Sequence, residues 1–174
     1  MEQRNPAAAE LLQLCTLLNP DAIAEELISV GAVHLGPVLG PVAADPFLLK
    51  EALQVLRTFS LVRRNPETRT LSLHRLVQVV VQEGMDERTR QAWIERAACM
   101  LLAAFPEPTF ENFQQWPLCQ ELLPHIQVCA DFVERYGLLS LDAAHLLKLA
   151  GLYLVRSQSN NDLAERPMRL ALPI

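Results

Sequence analysis

The stretch Thr70-Leu71-Ser72-Leu73-His74-Arg75-Leu76-Val77-Gln78 decides how the rest of the chain is read. Thr70 to Leu73 alternates polar and apolar residues, which suits a half-buried strand. Leu76, Val77, Val80 and Val81 then recur at helical spacing, so a strand runs directly into a helix with His74 at the junction. A helix N-terminus gathers unpaired backbone N–H groups and a partial positive charge, and therefore favours anions such as phosphate. A histidine placed there is positioned to donate a hydrogen bond to a phosphate carried by another domain.

The elements around this junction complete a domain. Asn5-Pro6 is a cap followed by a proline in the first turn, and Ala8, Leu11, Leu12, Cys15 and Leu18 follow at helical spacing. Asn19-Pro20-Asp21 ends that helix and is expected to cap a second one, through about Val30. Gly31 to Ala44 contains three glycines and two prolines and reads as a loop. Asp45-Pro46 restarts a helix with the apolar stripe Leu48, Leu49, Ala52, Val55 and Leu56. Two extended pieces, 60–63 and 70–73, flank an Asn65-Pro66 turn and predict a hairpin. Three helices, a two-stranded wing and a following helix read as a winged-helix domain over residues 1–84.

The remainder reads as wholly helical. Trp93, Ala97, Met100, Leu101 and Ala104 mark one face of a helix that ends before Pro106. Helices are expected over 116–123 and 124–136, divided at Pro124 and closed by Gly137. Another helix follows from Leu141 to Val155, then a polar break at 157–161 and a final short helix. Gly84-Met85-Asp86 is the expected joint between the winged helix and a helical linker over 85–140.

Bulk properties bound the function. The chain has 174 residues, 51% hydrophobic and 20% charged, so it builds a core and is not a disordered segment. Its net charge of −5 leans against a dedicated nucleic-acid binder. Cys15, Cys99, Cys119 and Cys129 are widely separated, matching neither a disulfide framework nor a zinc site, and fit reduced thiols in a cytoplasmic protein. There is no secretory signal and no apolar run suited to a bilayer, so no membrane role is expected. His34, His125 and His145 have no second ligand at metal spacing, so no metal site is expected. Trp93 and Trp116 read as interhelical anchors. No catalytic triad or nucleophile elbow is present, and the chain is expected not to be an enzyme.

The run Leu71-Ser72-Leu73-His74-Arg75-Leu76-Val77-Gln78, with Trp93-Ile94-Glu95-Arg96-Ala97 and Ala104-Phe105-Pro106, resembles bacterial NB-ARC-type STAND ATPases that carry tetratricopeptide repeats. Trp116-Pro117-Leu118-Cys119, Leu123-Pro124-His125 and the opening Asn5 to Leu12 share that resemblance. It implies that the winged helix belongs to a nucleotide-binding module whose MHD-like motif sets a histidine against the β-phosphate of bound ADP. The matching residues are Leu73, His74 and Arg75. Leu73 is an apolar replacement for methionine, whereas Arg75 replaces an aspartate and removes its charge.

The tail also matches a 34-residue helix-turn-helix repeat over 141–174, with Ala150-Gly151 and Leu154 in its first helix and Ala164, Met168 and Ala171 in its second. A single repeat cannot bury its apolar face alone, so the chain reads as truncated. No G-x-x-x-x-G-K-[ST] phosphate loop occurs, so the chain binds no cofactor by itself, and ADP or ATP is implied only through a nucleotide-binding domain supplied elsewhere. The expected role is a non-catalytic regulatory fragment that senses that ADP and couples it to protein partners through the repeats. The alternative is a stand-alone winged-helix DNA-binding regulator using Arg63, Arg64 and Arg69 on the wing, although the helix over 46–59 offers only Lys50 and Arg57 for base reading.

Overall fold

The protein is described by a computed structural model covering residues 5–109, 111–138, 140–157 and 167. It is mainly helical, with one small three-stranded antiparallel sheet. The first helix, α1 (Pro6–Thr16), starts where the sequence places it, with Asn5 Oδ1 accepting from Ala8 N at 2.9 Å. Asn19-Pro20-Asp21, however, does not cap a helix. Asn19 Oδ1 accepts from Asp21 N in a local turn, and the chain first forms a two-residue strand, β1 (Ile23–Ala24). Helix α2 (Glu25–Val30) begins only after it.

The expected loop over 31–44 is a correction. After a 3-10 turn at Ala32–His34 it forms helix α3 (Gly36–Ala44), with Leu39, Gly40 and Ala43 buried. Pro37 sits in the first turn, where a missing N–H costs nothing. The cap comes from far away in the chain: the Glu10 carboxylate on α1 accepts from Leu39 N at 3.1 Å. An anionic group at a helix N-terminus is favoured by the backbone dipoles. Helix α4 (Pro46–Thr58) follows, capped by Asp45, which accepts from Phe47 N and Leu48 N at 2.8 and 3.3 Å.

The hairpin comprises β2 (Val62–Asn65) and β3 (Thr70–Leu73). It is not a two-stranded wing alone. β1 pairs with β3 on the other side, giving the order β1-β3-β2, with Ile23 opposite Leu71 and Val62 opposite Leu73. Leu71, Leu73, Val62 and Ile23 are buried and carry the sheet's inner face into the helical core.

Helix α5 (Arg75–Gly84) leaves β3 through His74 and lies along α1. The joint after it is pinned: Met85 is buried, and Arg90 Nη2 donates to the carbonyls of Gln82 and Met85 at 2.8 and 2.9 Å. Helix α6 (Glu87–Ala104) starts with Asp86 Oδ1 accepting from Thr89 N at 2.7 Å. It packs on α1, on α2 and on the 3-10 turn, so the core runs unbroken from the N-terminal elements into the later helices.

Helix α7 (Trp116–Tyr136) runs through Pro124 without a break, which corrects the expected division. Pro124 is exposed, on the side of α7 where solvent takes the carbonyl that its missing N–H leaves free. Gly137 closes α7 in the left-handed conformation, at φ 63°. Helix α8 (Leu141–Arg156) packs against both α6 and α7, with Tyr153 edge-on to Phe105 and to Trp116. Cys15, Cys119 and Cys129 are buried and free, and burial holds the Cys15 and Cys129 thiols up at about 12. The second helix expected for the repeat, with Ala164, Met168 and Ala171, lies outside the described residues. Among those residues no helix is long and apolar enough to cross a membrane.

Candidate functional site

The strand-to-helix junction is built by opposite demands on neighbouring residues. Leu73 is 5% exposed and anchors the end of β3 in the core. His74 and Arg75, the next two residues, are both exposed. His74 is itself the N-cap of α5: its backbone is extended and its Nδ1 accepts from Leu76 N at 3.2 Å. That bond settles which ring nitrogen can do what. In the neutral imidazole, an accepting Nδ1 leaves the proton on Nε2. The site therefore holds one N–H donor on an exposed residue at a helix N-terminus, beside a positive side chain in Arg75. This set can hold an anion, and it holds no nucleophile or proton-accepting pair.

Helix α5 is turned away from the orientation that its sequence predicts, which is a further correction. Val77 and Val81 pack against the core, but Leu76 and Val80, expected on the same face, point outward. Gln78 and Gln82 take the inner position. Gln78 Nε2 donates to the carbonyls of Thr16 and Leu18, at 3.2 and 2.8 Å, and Gln82 Nε2 donates to Thr16. Helix ends leave their last carbonyls without intrahelical donors, and at the end of α1 those carbonyls are covered. The glutamine amides supply what the α1 C-terminus lacks, and this demand outweighs the apolar stripe. Leu76, Val79 and Val80 are left 68%, 49% and 67% exposed, forming an uncovered apolar strip that starts beside His74.

Gln78→Met removes these donors while keeping the side chain's length, and is expected to cost about 2 kcal/mol in urea denaturation. Val80→Gln on the outer face should change stability by no more than about 0.5 kcal/mol. Equal effects of the two would contradict this orientation of α5.

The wing arginines do not assemble. Arg63 lies opposite Ser72 and Arg64 opposite Leu71, so the two face opposite sides of the sheet. Arg64 donates to Glu25 of α2 through one edge of its guanidinium, from Nε to Oε1 and from Nη2 to Oε2, the latter at 3.0 Å. Arg69 sits on the hairpin loop in a left-handed conformation, at φ 52°. His125 is 3% exposed on α7, His34 and His145 are exposed, and no metal-binding group of side chains occurs among the described residues.

Residues 1–90 match a protein-family model described as "Domain of unknown function (DUF7779)", and the chain belongs to that family. The matched span holds α1 to α5 and all three strands, and with them His74. No curated protein and no solved structure matches the chain.

Proposed function

We propose that this member of the DUF7779 family is a non-catalytic regulatory module of a STAND-type signalling ATPase, in which His74 reads the phosphate of ADP held by a separate nucleotide-binding domain. The observation that carries the reading is the state of His74. It is exposed at a helix N-terminus, and its Nδ1 is occupied by the cap bond to Leu76, which leaves Nε2 as the ring's donor. A donor fixed in this way loses little on meeting an anion, because its tautomer and ring position are set beforehand. The strip of Leu76, Val79 and Val80 gives the carrier of that phosphate an apolar surface to rest on, immediately next to the donor.

The winged-helix assignment belongs to the same proposal. Support comes from the element order α1-β1-helices-β2-β3, from the sheet order β1-β3-β2 and from the projecting β2–β3 hairpin. The repeat assignment rests on α8 alone and makes the α6–α8 region the connection to protein partners. The DNA-binding alternative has less support, since Arg63, Arg64 and Arg69 are dispersed and Arg64 is spent on Glu25. ADP retention would favour a closed form and its loss an open one, a population shift set by one phosphate contact.

The test is ADP release from a protein that joins this module to a phosphate-loop domain. His74→Ala is expected to speed release by about tenfold or more, the loss of one charge-assisted hydrogen bond. An unchanged release rate removes the sensing role. Leu76→Glu, which leaves His74 intact, should weaken docking of the two domains; undisturbed docking would remove the role given to the apolar strip.

A further inference from the structure

Helix α4 turns one row of residues outward. Phe47, Lys50, Gln54 and Arg57 recur at three- and four-residue intervals, so they lie along one side of the helix, and all four are exposed. This row borders a groove of about 690 Å3 that α4 forms with α2 and the β2–β3 hairpin. The hairpin brings Arg64 and Arg69 to the groove, and α2 brings Glu25 and Glu26. Arg63 lies on the opposite side of the sheet from Arg64 and stays outside it.

Four cations against two carboxylates give this groove a positive surplus on a chain whose net charge is −5. Pairing sharpens the contrast. Glu25 is taken by Arg64, whereas Lys50, Arg57 and Arg69 form no ion pair among the described residues. Within the groove, Glu26 alone is left to offset them. Arg69 stands there at a cost. Its backbone is left-handed, at φ 52°, with its carbonyl accepting from Glu25 N at 3.0 Å. Glycine takes that conformation freely and a residue with a Cβ does not, so a cation occupies a position where stability alone favours glycine.

We propose that this groove binds an extended acidic peptide segment of a protein partner, with an apolar side chain resting on Phe47 and carboxylates meeting Lys50, Arg57 and Arg69. Charge complementarity selects the acidic residues. Phe47, 67% exposed, supplies the apolar contact at one end. The dimensions set the length: Phe47 to Arg57 spans about 15 Å of helix, which an extended chain covers in about five residues. Glu26 favours a peptide over a nucleic acid. A peptide can set an N–H or a neutral side chain against that carboxylate, whereas a strand with a phosphate at every nucleotide meets it with like charge. The groove lies at the hairpin-loop end of β3 and His74 at the other, so this site is independent of phosphate sensing.

The experiment uses the whole chain and two capped hexapeptides, Leu-Glu-Glu-Glu-Glu-Leu and its uncharged counterpart Leu-Gln-Gln-Gln-Gln-Leu, titrated at low salt and followed in 1H–15N spectra. A leucine at each end serves whichever direction the peptide takes. The glutamate peptide should bind saturably, shift the resonances of Lys50, Arg57 and Arg69, and lose affinity as salt rises. The glutamine peptide should bind about tenfold more weakly. Lys50→Glu should weaken the glutamate peptide about fivefold, whereas Arg63→Glu, the same charge change outside the groove, should leave it within about twofold. Arg69→Gly should weaken binding about threefold while raising the unfolding midpoint by about 2 °C, so that its lost affinity is not lost folding. No saturable binding of the glutamate peptide, equal affinity for the two peptides, equal effects of Lys50→Glu and Arg63→Glu, or tighter binding of a single-stranded hexanucleotide than of the glutamate peptide would each overturn the proposal. The comparison of the two peptides needs no variant, so it stands if a variant does not fold.

Discussion

Gly31→Ala is expected to destabilise the protein by about 3 kcal/mol or more and to lower its midpoint by roughly 10 °C. The backbone at Gly31, φ −85° and ψ 6°, is open to alanine, so no conformational penalty enters. The effect is purely one of space. A Cβ built there falls on Met100 Cγ, 2.8 Å from Met100 Cβ and 3.0 Å from its Cα. Met100 belongs to α6 and is fully buried, so a new rotamer cannot clear a contact that reaches the backbone. The substitution pushes α6 away from the end of α2, and those two helices are where the N-terminal elements meet the later ones. Gly84→Ala is the control, because nothing lies within 4 Å of the added Cβ there; it should be neutral or stabilise by up to about 1 kcal/mol. Thermal and urea unfolding followed by circular dichroism measures both. Equal stability of the two variants would mean that α2 and α6 do not meet at Gly31.

What the sequence discloses of this fold is what local chemistry decides. Asn5, Asp45 and Gly137 act where they stand, because a cap needs only its own helix. Thr70 to Leu73 alternates because one face of β3 is buried, and the alternation is visible without the partner strands. Three features stayed hidden for one shared reason. β1 is two residues long and exists through its pairing with β3. Helix α3 survives two prolines because Glu10, 29 residues earlier, caps it. Helix α5 turns its glutamines inward because α1 ends in carbonyls without donors. Each is settled by a residue distant in the chain, which periodicity does not register. The candidate site divides in the same way. His74 at a helix start was legible, as was the burial of Leu73. The outward strip of Leu76 and Val80 was not, since their spacing is that of a core face. Nor was the burial of His125, which depends on the elements packed around α7.

Lowering the pH from 7 toward 4 is expected to remove about 3 kcal/mol of stability through His125 alone. Burial holds this histidine at about 4, against an ordinary 6.5, and the hydrogen bond to the Ala22 backbone offsets only part of that effect. The folded form therefore keeps the ring neutral while the unfolded chain takes up a proton below about 6.5. Protons favour the state that binds them, so stability is complete above about 6.5, falls steadily as the pH drops, and levels once the folded ring also titrates near 4. Glu26 and Glu121 line one surface groove together with His125, but both are exposed, where solvent screens them. Urea unfolding at pH 7 and at pH 4.5, compared between the unmodified protein and His125→Leu, isolates the histidine because other acid-titrating groups are common to both. The unmodified protein should lose more stability than the variant over that interval. A parallel loss in the two would show that His125 is not held neutral by burial.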